Sequence, residues 1–236
     1  METLPALVER LPELFAPLDL VGLAIMLGCV WGMTLLIERA NPARPSVSML
    51  MNGYRAEWMK ELAHRDVRIM DAQLLNTLRG GTAFFASTCL ISIGGVAALI
   101  GQADRLVILL GDLGGAPVAS ATPVWEAKLM VILLMLINAF LKFVWAHRLF
   151  AYCAVMMGAM PAPGAEGLNA AIARSVELNS AAARSFNRGL RMIYFALAAL
   201  GWFLGAFFLI FATLATAAML YRREFLSRSR AALMPR

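Results

Sequence analysis

Four stretches of this chain are long, apolar and nearly free of charge, and that pattern restricts its fold more than any other feature. They run from about 18 to 37 (LDLVGLAIMLGCVWGMTLLI), 82 to 100 (TAFFASTCLISIGGVAALI), 129 to 150 and 192 to 220. An α-helix rises about 1.5 Å per residue, so about 20 apolar residues match the ~30 Å hydrocarbon core of a bilayer. Glu38, Arg39 and the breakers Pro42 and Pro45 close the first run. The fourth is longer than one crossing needs, yet a helical hairpin would need about 40 residues, so it predicts a single tilted helix. The fold expected is all-α: one membrane domain over residues 1–236, a bundle of four transmembrane helices with amphipathic helices between spans 1 and 2 and between spans 3 and 4.

Composition agrees with this and removes other classes. The 236 residues are 61% hydrophobic and 15% charged, against about 45–50% and 25% in soluble domains. A soluble enzyme, a disordered tail and a disulfide-stapled secreted module are excluded. The net charge of +6 would point to nucleic acid in a soluble protein, but in a membrane protein Lys and Arg gather at the cytoplasmic interface, so no nucleic-acid partner is expected. Cys29, Cys89 and Cys153 form an odd set, two of them deep in apolar runs, and read as buried thiols. The leading segment carries Glu2, Glu9, Glu13 and Asp19 against Arg10 alone, the wrong chemistry for an export signal, so the first span is expected to be retained.

The same counting gives an orientation. The loops between spans 1 and 2 and between spans 3 and 4 hold twelve Lys and Arg, and the remaining segments hold eight, with Lys142 inside the third span left aside. Both large loops are therefore expected in the cytoplasm and both termini outside, in a bacterial inner (plasma) membrane. The basic tail, with Arg222, Arg223, Arg228 and Arg230, opposes that placement. In the first loop Met59, Leu62, Ala63, Val67, Met70, Leu74 and Leu78 recur at helical period, predicting a helix over about 47–80 that Gly80-Gly81 ends or bends. A breaker cluster from Met160 to Ala165 precedes a second loop helix over about 165–190. No strand signal and no internal repeat stands out.

Small and polar residues within the spans supply the candidate sites. Gly28 and Gly32, and Gly201 and Gly205, make G-x-x-x-G faces that read first as helix packing within the chain and second as a homodimer contact; Gly94-Gly95 with Ser87 and Ser92 reads the same way. In the third span Asn138 and Lys142 share a face, with His147 and Arg148 a turn or so beyond. Asn138, Lys142 and His147, with Arg79, form a candidate polar path; alternatively, Lys142 snorkels to the interface and Asn138 bonds to a neighbouring helix. Arg55 with Trp58, and Arg188 and Arg191 with Tyr194, read as interfacial anchors or as lipid or partner contacts. His64 and His147 are the only histidines, every standard catalytic signature is missing, and neither a metal nor a cofactor is expected.

These stretches, in this order, resemble the membrane family called Domain of Unknown Function 599: the Arg55-x-x-Trp58 pair, LLNTLRGGTAFFASTCLIS around Arg79, the third span running into Ala146-His147-Arg148, and Phe186-Asn-Arg-Gly-Leu-Arg191-Met-Ile-Tyr194-Phe195 followed by Trp202 and Gly205. Gly80 stands where that family often carries Asn. The resemblance implies a small multi-span membrane protein and no particular activity. The reading as a whole is a non-enzymatic scaffold or accessory subunit whose partners are the bilayer and a second copy or a membrane complex. A small transporter or channel with a path along the third span is the alternative, and a lipid-binding or lipid-modifying protein a further one.

Overall fold

The computed structural model describes residues 15–39, 41, 43–105 and 122–234. The readings that rest on Glu2, Glu9, Arg10, Glu13 and Pro42 lie outside them. Among the described residues the fold is carried by α1 (Pro17–Glu38), α2 (Val47–Ala63), α3 (Ile69–Ile100), α4 (Thr122–Gly158), α5 (Leu168–Ala199), α6 (Ala206–Phe225) and α7 (Arg228–Leu233), with a 3-10 turn over Leu200–Leu204. Among the described residues there is no strand. As the sequence predicts, four helical segments are long and apolar enough to cross a membrane: α1, α3, α4 and the stretch Ala206–Leu233.

Two helices act as the spine. α4 has 37 residues and α5 has 32, lengths of about 55 and 48 Å, well beyond one hydrocarbon thickness. They hold together two tiers. In one, Met26 and Ile37 of α1, Ile132 and Met135 of α4, Phe195 of α5, Trp202 of the turn, and Leu209 and Leu220 of α6 form a core. In the other, Met59 and Leu62 of α2, Leu75 of α3, Phe150, Cys153 and Met157 of α4, and Ile172 of α5 form a second. Between them the rings of Phe85, Phe143 and Phe186 meet pairwise at centroid distances of 5.4, 5.6 and 5.5 Å. α5 buries small residues against α4, Ala182, Ser185 and Gly189 among them, which lets two long helices approach closely where lipid offers no hydrophobic incentive.

Four sequence expectations change. The loop helix predicted over 47–80 breaks at His64–Arg68, and α3 then passes through Gly80-Gly81 without interruption. The break follows from a fully buried carboxylate: Asp71 accepts from Arg65 Nη1 at 2.6 Å and Trp58 Nε1 at 2.7 Å, drawing α2 back onto the start of α3. Nothing lies within 4 Å of where a side chain would start at Gly80 or Gly81, so the two glycines cost only their helix propensity, about 1 kcal/mol each relative to alanine.

The apolar run at 192–220 is not one tilted helix. α5 ends at Ala199, the chain tightens into the 3-10 turn, and Gly205 at φ +124° reverses it so that α6 runs back alongside α5 and α1. The turn is pinned on both sides: Trp202 Nε1 donates to Asp19 Oδ1 at 2.6 Å, and Lys128 Nζ donates to the Trp202 carbonyl at 3.1 Å. At Gly201 a side chain would start 3.0 Å from the Phe208 carbonyl oxygen. Gly201 therefore does pack closely, against Phe208 and Ala212 of α6, while Gly205 serves the reversal and meets no neighbour.

That reversal also moves the tail. Ser48 N donates to Glu224 Oε2 at 3.0 Å, Arg230 Nε to the Pro45 carbonyl at 2.9 Å, and Tyr54 Oη to the Leu233 carbonyl at 3.1 Å. The basic tail shares one end of the bundle with the first loop, which corrects the expectation that puts the C-terminus opposite the loops. The packing seams expected at Gly28, Gly32, Gly94 and Gly95 are open: a side chain starting at any of them would meet nothing beyond its own helix within 4 Å. Gly22 takes that role instead: a side chain there would start 3.1 Å from Leu209 and 3.4 Å from Ile210.

Candidate functional site

Besides Asp71, two further carboxylates that were not among the candidate site residues, one half-buried and one buried, organise the loop-bearing end of the bundle. Glu38, at the last position of α1, accepts from Arg188 in a two-pronged bond, Nε to Oε1 at 2.9 Å and Nη2 to Oε2, and Arg191 Nη2 donates to Oε1 as well. Arg191 is buried, with a side chain 4% exposed. Glu224, at the end of α6, is 6% exposed and accepts the backbone and hydroxyl of Ser48 at the start of α2. A buried cation is retained at tolerable cost only when it is paired, so Arg191 is a tie between helices and not the lipid or partner contact expected of it.

Other expected contacts are likewise committed internally. Trp58 gives its indole N–H to Asp71, and Tyr194 receives Arg223 both at its hydroxyl, at 3.1 Å, and over its ring, at 5.5 Å. Arg55 lines a small cleft with Asn187, Arg223 and Glu224, where burial pushes its guanidinium below the usual arginine pKa. His64 caps the end of α2, its Nδ1 2.9 Å from the Lys60 carbonyl. Of the proposed anchors, Arg188 alone keeps a largely open side chain, 44% exposed.

The four residues of the candidate polar path fall into two separate places. Asn138 and Lys142 line a lateral groove of about 720 Å³ between α1, α4 and α5. Its floor is apolar, with Leu27, Val30, Trp31, Leu35, Met135 and Met192, and its mouth carries Glu38, Arg39, Lys142 and Arg188. Glu38 already faces Arg188 and Arg191; neither Arg39 nor Lys142 has an ion pair among the described residues. Asn138 lies one helical turn deeper and is exposed, an amide at a depth where water is scarce if the groove faces lipid.

Arg79 and His147 sit on the other side of α4. Arg79 lines a pocket of about 500 Å³ between α3 and α4 with Arg68 and Asn76. Just beside it, Thr82 Oγ1 donates to the Arg79 carbonyl at 2.7 Å, and His147 Nδ1 lies 3.0 Å from the same hydroxyl. The hydrogen bond between the Thr82 hydroxyl and His147 Nδ1 takes its direction from the imidazole tautomer. His147 thus joins α3 to α4 and does not line the groove, and the groove and the Arg79 pocket share no lining residue.

Residues 21–229 match the family described as Protein of unknown function, DUF599. The chain belongs to that family. Both cavities, the Glu38 and Glu224 ties and the reversal at Gly205 lie within the matched stretch. No curated protein and no solved structure matches the chain.

The sequence reading missed Arg39, Trp31 and Thr34 in the groove and Arg68 and Asn76 in the pocket. Glu38 was visible as the acid that ends the first run, and Arg188 and Arg191 as the bases that begin the fourth. What would have joined them is their common depth at one membrane face, a relation between positions 150 and 153 residues apart.

Proposed function

We propose that this DUF599 protein is a non-enzymatic membrane protein that binds an anionic amphiphile, an acidic phospholipid, in the lateral groove between α1, α4 and α5. One observation carries the reading: the groove combines an apolar floor with a mouth of three cations, Arg39, Lys142 and Arg188, against the single carboxylate of Glu38. An acyl chain would lie along Trp31, Leu35 and Met135, and a phosphate at the mouth would meet Arg39 and Lys142, while Asn138 offers an amide to the ester region. Catalysis is not part of the reading. Glu38 is the one carboxylate of the lining and is held by two arginines, which leaves no free general base there.

The depth assignment is part of the same proposal. Asp19 and Glu38 stand 19 residues apart on α1, about 28 Å along the axis, and the C-terminal part of α5 covers that distance from Arg188 and Arg191 at Glu38 to Trp202 at Asp19. With α6 returning, the chain crosses five times, and the 39–68 loop, the α4–α5 connection and the tail all face the cytoplasm.

Native mass spectrometry of the purified protein tests the lipid reading. Phosphatidylglycerol is expected to be retained in preference to phosphatidylcholine, and a protein carrying Arg39→Gln and Lys142→Gln is expected to lose that preference roughly 30-fold, at about 1 kcal/mol per interfacial cation. Equal retention of the two lipids by the wild type, or an unchanged preference in the variant, would refute it.

A further inference from the structure

The pocket holding Arg79 lies outside the lipid groove and has a different character. From Arg68, the N-cap of α3, through Ala72, Leu75, Asn76 and Arg79 on the helix, the lining residues follow one another at helical spacing along one face. Across from them Ala154, Met157 and Gly158 of α4 form an apolar wall. Those wall residues are 12 to 16 positions beyond Lys142 on the same helix, about 18–24 Å further along the axis, so the pocket stands in the second tier and beyond the groove mouth. At about 500 Å³ it is within the range of small-molecule sites.

Its charge is uncompensated. No carboxylate lines it. Arg68 is fixed by two backbone carbonyls, Nη1 to Met157 at 3.2 Å and Nε to Arg65 at 3.4 Å, which holds the guanidinium at the pocket's edge. Arg79 has a buried Nε without a partner and no ion pair among the described residues. Its backbone is fixed in turn, because the Arg79 carbonyl accepts from Thr82, which His147 ties to α4. Two arginines line one cavity that carries no acid, and the planar, forked guanidinium is the side chain suited to phosphate oxygens.

We infer that this pocket binds a phosphate-bearing ligand, a phosphomonoester or diphosphate, between Arg68 and Arg79, with its apolar part against Ala72, Leu75 and Met157. The ligand's source is either a soluble phosphate compound or the headgroup of a phosphorylated lipid; both present the same oxyanion. This goes beyond the lipid groove and does not depend on it.

The test uses the full chain in nanodiscs of phosphatidylcholine alone, titrated calorimetrically with inorganic pyrophosphate and separately with the short-chain lipid dihexanoyl phosphatidic acid. Saturable binding of at least one probe is expected, weakened at least tenfold by Arg79→Gln. Ala72→Phe, which fills the pocket without altering charge, is expected to weaken it as much, and it keeps the test decisive if the arginine variant does not fold. Arg174→Gln, an exposed cation on α5, is expected to bind like the wild type. Pyrophosphate binding assigns a soluble phosphate; binding of dihexanoyl phosphatidic acid alone assigns a headgroup. If neither probe binds, or if Ala72→Phe binds as the wild type does, the inference is wrong.

Discussion

Single residues in this chain are best ranked by what surrounds them, and the glycines show why sequence alone ranks them badly. Gly28 and Gly32 have the spacing associated with close helix packing, yet both face open space; Gly189, with no such spacing, sits where a side chain would start 2.8 Å from the ring of Phe143. That ring cannot step aside, since Phe143 is fully buried and held between Phe85 and Phe186. Gly189→Val is therefore expected to overpack the junction of the two tiers at a cost of about 1–3 kcal/mol. Gly32→Val should stay within about 0.5 kcal/mol of the wild type. Thermal unfolding in detergent, followed by circular dichroism, compares the two; equal loss in both variants would show that the α4–α5 contact is looser than the geometry says. The G-x-x-x-G pattern could not have given this ranking, because spacing fixes which residues share a face and leaves open which neighbour that face meets.

At the scale of elements, the reversal between α5 and α6 decides the architecture. The run from Met192 to Leu220 contains no charge and no proline, so by hydropathy it reads as continuous, and length argues for one crossing. What breaks it is conformational: Gly205 occupies φ +124°, a region that L side chains rarely adopt. The bonds that hold the turn come from elsewhere in the chain, Asp19 from α1 and Lys128 from α4. Lys128 is 7% exposed and lies 5.5 Å from the Trp202 ring and 6.0 Å from that of Trp125, so its charge is met by a carbonyl and two aromatic faces. Gly205→Ala is expected to cost about 1–3 kcal/mol through backbone strain, although nothing lies within 4 Å of the added methyl. Gly80→Ala, a methyl added to an equally open helical position, is expected to stabilise by up to about 1 kcal/mol. Chemical unfolding midpoints of the two variants check the sign of each change; stabilisation by Gly205→Ala would mean that α5 and α6 are joined by something other than this strained turn. Helix periods and apolar runs were legible because they depend on neighbours three or four positions away. The reversal was not, because its cause is one dihedral angle and two bonds from distant helices.

For the whole molecule, the arrangement of charge and the arrangement of helices now point the same way. Leaving Lys142 aside, sixteen of the described Lys and Arg residues lie at the end of the bundle shared by the loops and the tail, and only Arg105 and Lys128 lie at the other. A four-crossing reading left the basic tail on the side with few cations; a fifth crossing through the end of α5 removes that conflict and leaves a single strong asymmetry of the kind that fixes orientation. The tail's bonds to Pro45, Ser48 and Tyr54 put it at the same end of the bundle as the first loop, which the proposed fifth crossing accounts for. With Cys29, Cys89 and Cys153 replaced by alanine, single cysteines at Gly53, Ser229 and Gln102 report the sides separately, all three positions being exposed. A membrane-impermeant maleimide applied to intact cells is expected to label Gln102→Cys alone, and to label Gly53→Cys and Ser229→Cys only after the membrane is opened. Labelling of Ser229→Cys in intact cells while Gly53→Cys stays protected would separate the tail from the first loop. The fifth crossing would then be untenable, and with it the cytoplasmic placement of Glu224 against α2. Labelling as expected would place the groove mouth and the Arg79 pocket on the same side of the membrane, one at the lipid surface and the other in the water above it.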